Sequence, residues 1–213
     1  MLEGARLVGA SLDSATVERL GRFVDLLVLW NRRLRLTGDR DPGLLLRKHI
    51  VDSLSVVPEL PAWGLVADVG SGAGFPGLVL GCARPDLPLR LIEPRRRAVS
   101  FLSEVIRTVP LPEAQALELR GEDAAADPSL RGRFALVVSR ALRLDVLVRL
   151  AAPLLEASGV VIAMQTPAMS EAKAGAVARS AGLDVARVRD YRLGGGELRR
   201  LITFEPRRRR IPI

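Results

Sequence analysis

The feature that most restricts the fold of this chain is a glycine-rich stretch, Asp68-Val69-Gly70-Ser71-Gly72-Ala73-Gly74-Phe75-Pro76-Gly77, placed directly behind an apolar run and ahead of a helical segment. Glycines at 70, 72 and 74 let the backbone turn tightly and let a ligand approach where a Cβ would collide. Pro76 suits a first helical turn, where its missing amide hydrogen has no partner to lose. A nucleoside-bearing cofactor fits such a loop. Gly72 to Gly77 satisfies the G-x-G-x-x-G spacing of dinucleotide sites, so a nicotinamide cofactor stays open on spacing alone. Asp68 argues for the other candidate, because a carboxylate at a strand end repels a pyrophosphate and attracts, directly or through water, the ammonium of S-adenosylmethionine. Glu93, ending the next expected strand, can take both ribose hydroxyls in its two oxygens and serves either cofactor.

Around this loop, short β-branched runs at 65–69, 87–93, 114–119, 134–138 and 160–164 alternate with helical patterns at 76–83, 95–108, 144–155 and 170–181. Such alternation predicts an α/β fold with a parallel sheet covered on both faces. Runs at 184–193 and 197–204, joined by Gly194-Gly195-Gly196, read as an antiparallel hairpin and bring the total to seven strands. Upstream, Val17, Leu20, Val24, Leu27, Trp30 and Leu34 recur at helical spacing over 14–36. Asp41-Pro42-Gly43 interrupts that helix, and a second one is expected over 44–57. The expected organisation is a helical cap at 1–61, a sheet domain at 62–206 and a basic tail at 207–213, forming one unit. The turn 120–124 enters a short helix, where Glu122 and Asp123 either present a carboxylate and amides to an adenine edge or simply cap the helix.

Lys and Arg number 32 against 24 Asp and Glu, a net charge of +8 with a pI near 11.1, which favours a polyanionic partner. Only Lys48 and Lys173 are lysines, and a skewed genomic base composition produces such an arginine excess as readily as phosphate binding does. Arg32, Arg33, Arg35, Arg40, Arg47 and Lys48 outnumber Asp39 and Asp41 near the loop and are candidate phosphate contacts. Arg95, Arg96 and Arg97 start a helix, where positive charge opposes the macrodipole and an anion would relieve it. Arg140 follows a strand and is expected at the carboxyl edge where such sheets bind ligands. Eight aromatic residues are too few for extensive base stacking, so Phe75 is the aromatic to watch near a base. Cys82 stands alone, which excludes an internal disulfide and paired-cysteine chemistry. A single histidine and scattered carboxylates give no metal site. Without an apolar run of about 18 residues or an N-terminal signal pattern, the expected setting is cytoplasmic, with no membrane partner.

Five segments together carry a family resemblance: Trp30-Asn31-Arg32-Arg33-Leu34-Arg35-Leu36-Thr37, Arg47-Lys48-His49-Ile50-Val51-Asp52-Ser53-Leu54, the 68–77 loop, Arg95-Arg96-Arg97-Ala98-Val99-Ser100-Phe101-Leu102, and Ser139-Arg140-Ala141. In order and spacing, residues 24–205 resemble the bacterial small-subunit ribosomal RNA methyltransferase G family, also called glucose-inhibited division protein B. The resemblance implies a seven-stranded Rossmann-like, S-adenosylmethionine-dependent methyltransferase fold. It further implies methyl transfer to nitrogen 7 of a guanine in the 530 loop of 16S ribosomal RNA, free or in the 30S subunit, by a monomer. Carried over by position, Asp68, Gly70, Ser71, Gly72, Gly74, Phe75, Glu93, Glu122, Asp123 and Ala124 would hold the cofactor, with Arg140 and His49 lining the reaction site. Arg140 would also touch the cofactor. Asn31, Arg32, Arg33, Arg35, Arg47, Lys48, Asp52, Ser53, Arg95 and Arg96 would face RNA. Two positions depart from the family pattern: Arg35 replaces the usual second asparagine, and Gln165 replaces a lysine after the fifth strand. Guanine nitrogen 7 carries its own lone pair, so the reaction would need alignment and no general base. A bidentate grip by Arg140 on oxygen 6 and nitrogen 7 would occupy that lone pair, so Arg140 is expected on a phosphate, on the oxygen alone or on the cofactor carboxylate. A nicotinamide-dependent dehydrogenase and a noncatalytic RNA-binding module on the same fold are the alternatives.

Overall fold

The structure, a computed structural model, describes residues 1–39 and 41–207. A short helix α1 (Leu2–Leu7), not expected from the sequence pattern, precedes α2 (Ser14–Leu34). The Asp13 carboxylate accepts the Thr16 amide at 2.7 Å and caps α2. The second helix of the cap is broken where the sequence pattern suggested continuity. It runs as α3 (Pro42–Leu44), a π-helical turn Leu45–Ile50 and α4 (Val51–Leu54). The wider turn adds one residue to the spiral and re-aims the side chains that follow, a distortion frequent at functional sites.

The sheet is built from β1 (Leu65–Val69), β2 (Leu89–Ile92), β3 (Ala114–Leu117), β4 (Phe134–Ser139), β5 (Leu155–Gln165), β6 (Leu183–Arg192) and β7 (Leu198–Pro206). Between them lie α5 (Gly77–Ala83), α6 (Arg96–Thr108), α7 (Gly121–Ala126), α8 (Leu144–Ala151) and α9 (Glu171–Ser180). The strand order is β3-β2-β1-β4-β5-β7-β6, with the first five parallel and β7 antiparallel to both neighbours. The seven-stranded α/β architecture with a terminal hairpin is therefore the one the alternation predicted.

One difference lies in β5, which begins at Leu155 instead of near 160, because α8 ends early and a 3₁₀ turn at Ala152–Leu154 feeds straight into the strand. Its register with β4 shifts between Phe134 and Leu136, where Gly159 lies against the Phe134 carbonyl and leaves no room for a Cβ.

Two apolar layers sandwich the sheet. On one face α2, α4, α5 and α6 share a core in which the Phe23 ring lies 5.5 Å from Phe75 and 6.3 Å from Phe101, with Trp30 5.8 Å from Phe101. The other face is covered by α7, α8 and α9. The chain changes face between β3 and β4, so the strand order reverses between β1 and β4 and a crevice opens at their carboxyl ends. Cys82 is buried in the first layer, and burial pushes its thiol up to about 12. Of the basic tail, Arg207 pairs with Asp184 at 3.3 Å, and 208–213 lie outside the described residues, as does Arg40. Among the described residues no helix is long and apolar enough to cross a membrane.

Candidate functional site

Asp68 is the penultimate residue of β1 and is fully buried. Its Oδ2 accepts the Gly77 amide at 2.9 Å and pins the start of α5 beneath the loop. A Cβ on Gly77 would lie 2.7 Å from that oxygen and would collide with Leu91, so the tether requires glycine. The other oxygen, Oδ1, is buried with no hydrogen-bond partner. Burial outweighs the Gly77 contact and pushes the carboxyl group up to about 7.

Gly70, Gly72 and Gly74 take the left-handed φ values of 79°, 54° and 91° that favour glycine. The loop uses its amides internally. Gly70 and Ser71 donate to the Ile92 carbonyl at 2.9 and 3.3 Å, and Gly74 donates to the Ser71 carbonyl at 2.7 Å. Gly72 donates to Glu93 Oε2 at 2.9 Å. The Ser71 hydroxyl donates to the Asp68 carbonyl at 2.9 Å, so this side chain, expected at the cofactor, braces the loop from below. Glu93 is nearly buried, and its Oε1 accepts the backbone and side-chain N–H of Arg95 at 3.0 and 2.8 Å. Glu122 and Asp123 stand exposed in the first turn of α7. Ala124, expected beside the cofactor, instead packs into the second core, and its amide donates to the Arg120 carbonyl at 3.0 Å.

A second group of side chains meets this loop from the cap. The π-helical turn brings His49 to Asp39, with Nε2 and Oδ2 2.6 Å apart, and Lys48 to the same oxygen at 3.3 Å. Burial lowers the His49 pKa more than Asp39 raises it, so the ring is neutral at pH 7, while the His49 contact holds Asp39 below the usual carboxylate range. His49 stacks on Phe75 at 5.1 Å, and the Arg140 guanidinium lies 4.8 Å from the centroid of the same ring. Phe75 is thus almost fully buried between α2, His49 and Arg140, which corrects the expectation of an aromatic presented to a base. Asp52 receives the Tyr191 hydroxyl at 2.6 Å and lies 3.6 Å from Arg140. Arg140 itself stands at the end of β4, at the carboxyl edge.

Asn31 and Ser53 are also turned inward, which corrects their expected contact with RNA. The Asn31 amide bonds Thr37 and Asp39 and closes the loop after α2, and the Ser53 hydroxyl donates to the His49 carbonyl at 2.7 Å. Arg32, Arg33, Arg35 and Arg47 remain exposed on the cap, and Arg95 and Arg96 on the sheet side. Beside Arg140 opens a cleft of about 390 Å³, lined also by Asp52, Arg143, Met164, Gln165, Thr166 and Arg199. Arg199 and Tyr191 were not anticipated; the single tyrosine before the glycine turn and an arginine after it gave no local sign of which sheet edge they would reach.

The arrangement fits a nucleoside donor that carries an ammonium. An unpartnered buried carboxylate oxygen lies below the loop, a second carboxylate ends the adjacent strand, and glycines keep the intervening surface free of Cβ atoms. Among the described residues no three His, Cys, Asp or Glu side chains converge as metal ligands.

A family model described as rRNA small subunit methyltransferase G matches residues 16–191. Ribosomal RNA small subunit methyltransferase G of Acetivibrio thermocellus is 32% identical over 167 residues, 78% of this chain and 69% of that protein. Its namesake from Acinetobacter baumannii is 34% identical over 164 residues, 76% of this chain and 77% of the relative. Among solved structures, a SAM dependent methyltransferase from Aquifex aeolicus shares the fold with a TM-score of 0.59 at 17% identity, covering 77% of this chain and 93% of that one.

Proposed function

This chain belongs to the rRNA small subunit methyltransferase G family, and on that premise we propose that it transfers a methyl group from S-adenosylmethionine to nitrogen 7 of a guanine in the 530 loop of 16S ribosomal RNA. Membership sets aside the dehydrogenase that the glycine spacing left open. The observation that carries the reading is adjacency: Arg140 and Leu142, which line the cleft at the ends of β4 and β5, also lie against Phe75 and Gly70 of the glycine loop, so a donor and a polyanionic acceptor would meet at one sheet edge.

S-adenosylmethionine supplies an electrophilic sulfonium methyl group. In this reading Asp68 holds its ammonium, Glu93 takes the ribose hydroxyls, and the Glu122-Asp123 turn borders the adenine. The acceptor nitrogen already has its electron pair and gives up no proton, so the chain's task is to align and desolvate. A neutral His49 agrees with that chemistry, since its ring serves as a wall against Phe75 and needs no proton exchange. Arg140 is held by Asp52 and the Phe75 face, and its charge points a phosphate or the guanine oxygen toward the methyl group without covering nitrogen 7. The exposed arginines of the cap and of α6 extend the same positive field along the RNA.

Radiolabelled methyl transfer to unmethylated 30S subunits and to naked 16S ribosomal RNA, followed by mapping of the modified nucleotide, tests the reading. Label at nitrogen 7 of a guanine is expected; label on another atom, or none on either substrate, overturns it. Arg140→Ala is expected to lower transfer at least tenfold, and unchanged transfer with unchanged RNA binding removes its role.

A further inference from the structure

β7 runs against its neighbours, so its first residues reach the edge where β4 and β5 end. In this register Gln165 pairs with Arg200 and Tyr191 with Arg199. Successive side chains on a strand point to opposite faces, and the two arginines meet different fates. Arg200 is engaged: it grips the Asp190 carboxylate at 2.6 and 2.7 Å and donates to the Met169 carbonyl at 2.9 Å. Arg199 lines the cleft with Arg140, Gln165 and Thr166. It is partly buried, it donates to the adjoining Leu198 carbonyl at 3.1 Å, and among the described residues it has no carboxylate within ion-pair distance. The other two cations of the cleft are matched, Arg140 by Asp52 and Arg143 by Asp145. Asp52 is already shared between Arg140 and Tyr191.

A guanidinium held in a concave polar site without a counter-charge is a ready fork for an oxyanion. We propose that Arg199 binds a backbone phosphate of the RNA next to the target nucleotide. The phosphate then lies on the β7 side of the cleft, opposite the glycine loop, with Gln165 and Thr166 as neutral hydrogen-bonding neighbours. This inference rests on the RNA methyltransferase reading for its ligand, and it gives the cleft a cation beside the position where Gln165 brings none.

Equilibrium binding of the full-length protein to unmethylated 30S subunits across a salt series, with steady-state transfer and calorimetric binding of S-adenosylhomocysteine, tests the assignment. Arg199→Ala is expected to weaken RNA binding about tenfold and to lower the logarithmic salt slope by about 1. KM for RNA rises while kcat at saturating RNA and affinity for S-adenosylhomocysteine change less than twofold. Arg199→Lys retains most of the binding, and Arg199→Gln, closer in length, repeats the loss even if the alanine variant folds poorly. Unchanged affinity and slope in both neutral variants overturn the inference, as does a loss confined to kcat or to S-adenosylhomocysteine. If the wild-type protein binds RNA with an Arg199-dependent slope yet transfers no label, the methyltransferase reading falls and the phosphate contact stands.

Discussion

Arg35 closes α2 in the left-handed region, at φ 50° and ψ 51°, where its Cβ is crowded and asparagine or glycine is at ease. An asparagine at this position would be favoured by the backbone alone, whatever the RNA does. Arg35→Asn is expected to raise stability by roughly 0.5–1 kcal/mol in denaturant unfolding while weakening RNA binding in a salt-dependent way. Asp68 makes the opposite bargain, since its burial disfavours the charged form. Its folded pKa of about 7 lies above the unfolded value, so its contribution to stability is full at acid pH and is lost as pH rises through 7. An ammonium-bearing ligand draws the group to its ionised form and releases a proton. Affinity for S-adenosylhomocysteine is thus expected to rise between pH 6 and 8 and then level off, with proton release visible as a buffer-dependent heat of binding; Asp68→Asn removes both effects. Asp68 and its glycines were legible in the sequence because their geometry is set within ten residues. Phe75 was not, because its burial is set by Phe23, His49 and Arg140, which arrive from elsewhere in the chain; Asn31 and Ser53 make their bonds nearby, but in an irregular loop and a π-helical turn that leave no periodic pattern.

At the level of elements, the sequence pattern placed every strand, with β1 in full and the others within a few residues apart from the early start of β5. The broken cap helix escaped it, since a π-helical turn keeps the same residues helical and shifts only their facing. α6 carries a tension of its own. Arg95, Arg96 and Arg97 open it with no acidic residue in the first turn, and Arg95 leans onto Glu93. Two donors from Arg95 fill one oxygen of Glu93, the group proposed for the ribose. The guanidinium is largely exposed, so moving it aside costs little. Arg95→Ala is expected to tighten S-adenosylhomocysteine binding two- to fivefold in calorimetry while weakening RNA binding; weaker binding of both would instead make Arg95 a cofactor ligand.

Across the whole molecule, the terminal hairpin clamps the cap. Tyr191 reaches Asp52, and Arg189 bonds the Ser55 carbonyl and the Glu59 carboxylate, 130 residues or more away along the chain. Tyr191→Phe leaves one oxygen of a buried carboxylate unpartnered. It is expected to cost about 1–3 kcal/mol in the unfolding midpoint and to loosen the Arg140 pair, so KM for RNA rises as well. Contacts of such long range have no local signature, which is why the sequence named Arg140 and Asp52 yet missed Tyr191 and Arg199 beside them. The reversed direction of β7 carries a distant stretch of sequence back to the edge where the parallel strands end. The donor's cradle is contiguous in sequence, while the surface beside it draws at once on the cap, β4 and β7, so damage to the hairpin is expected to blunt recognition of the nucleic acid before it disturbs the hold on the nucleoside.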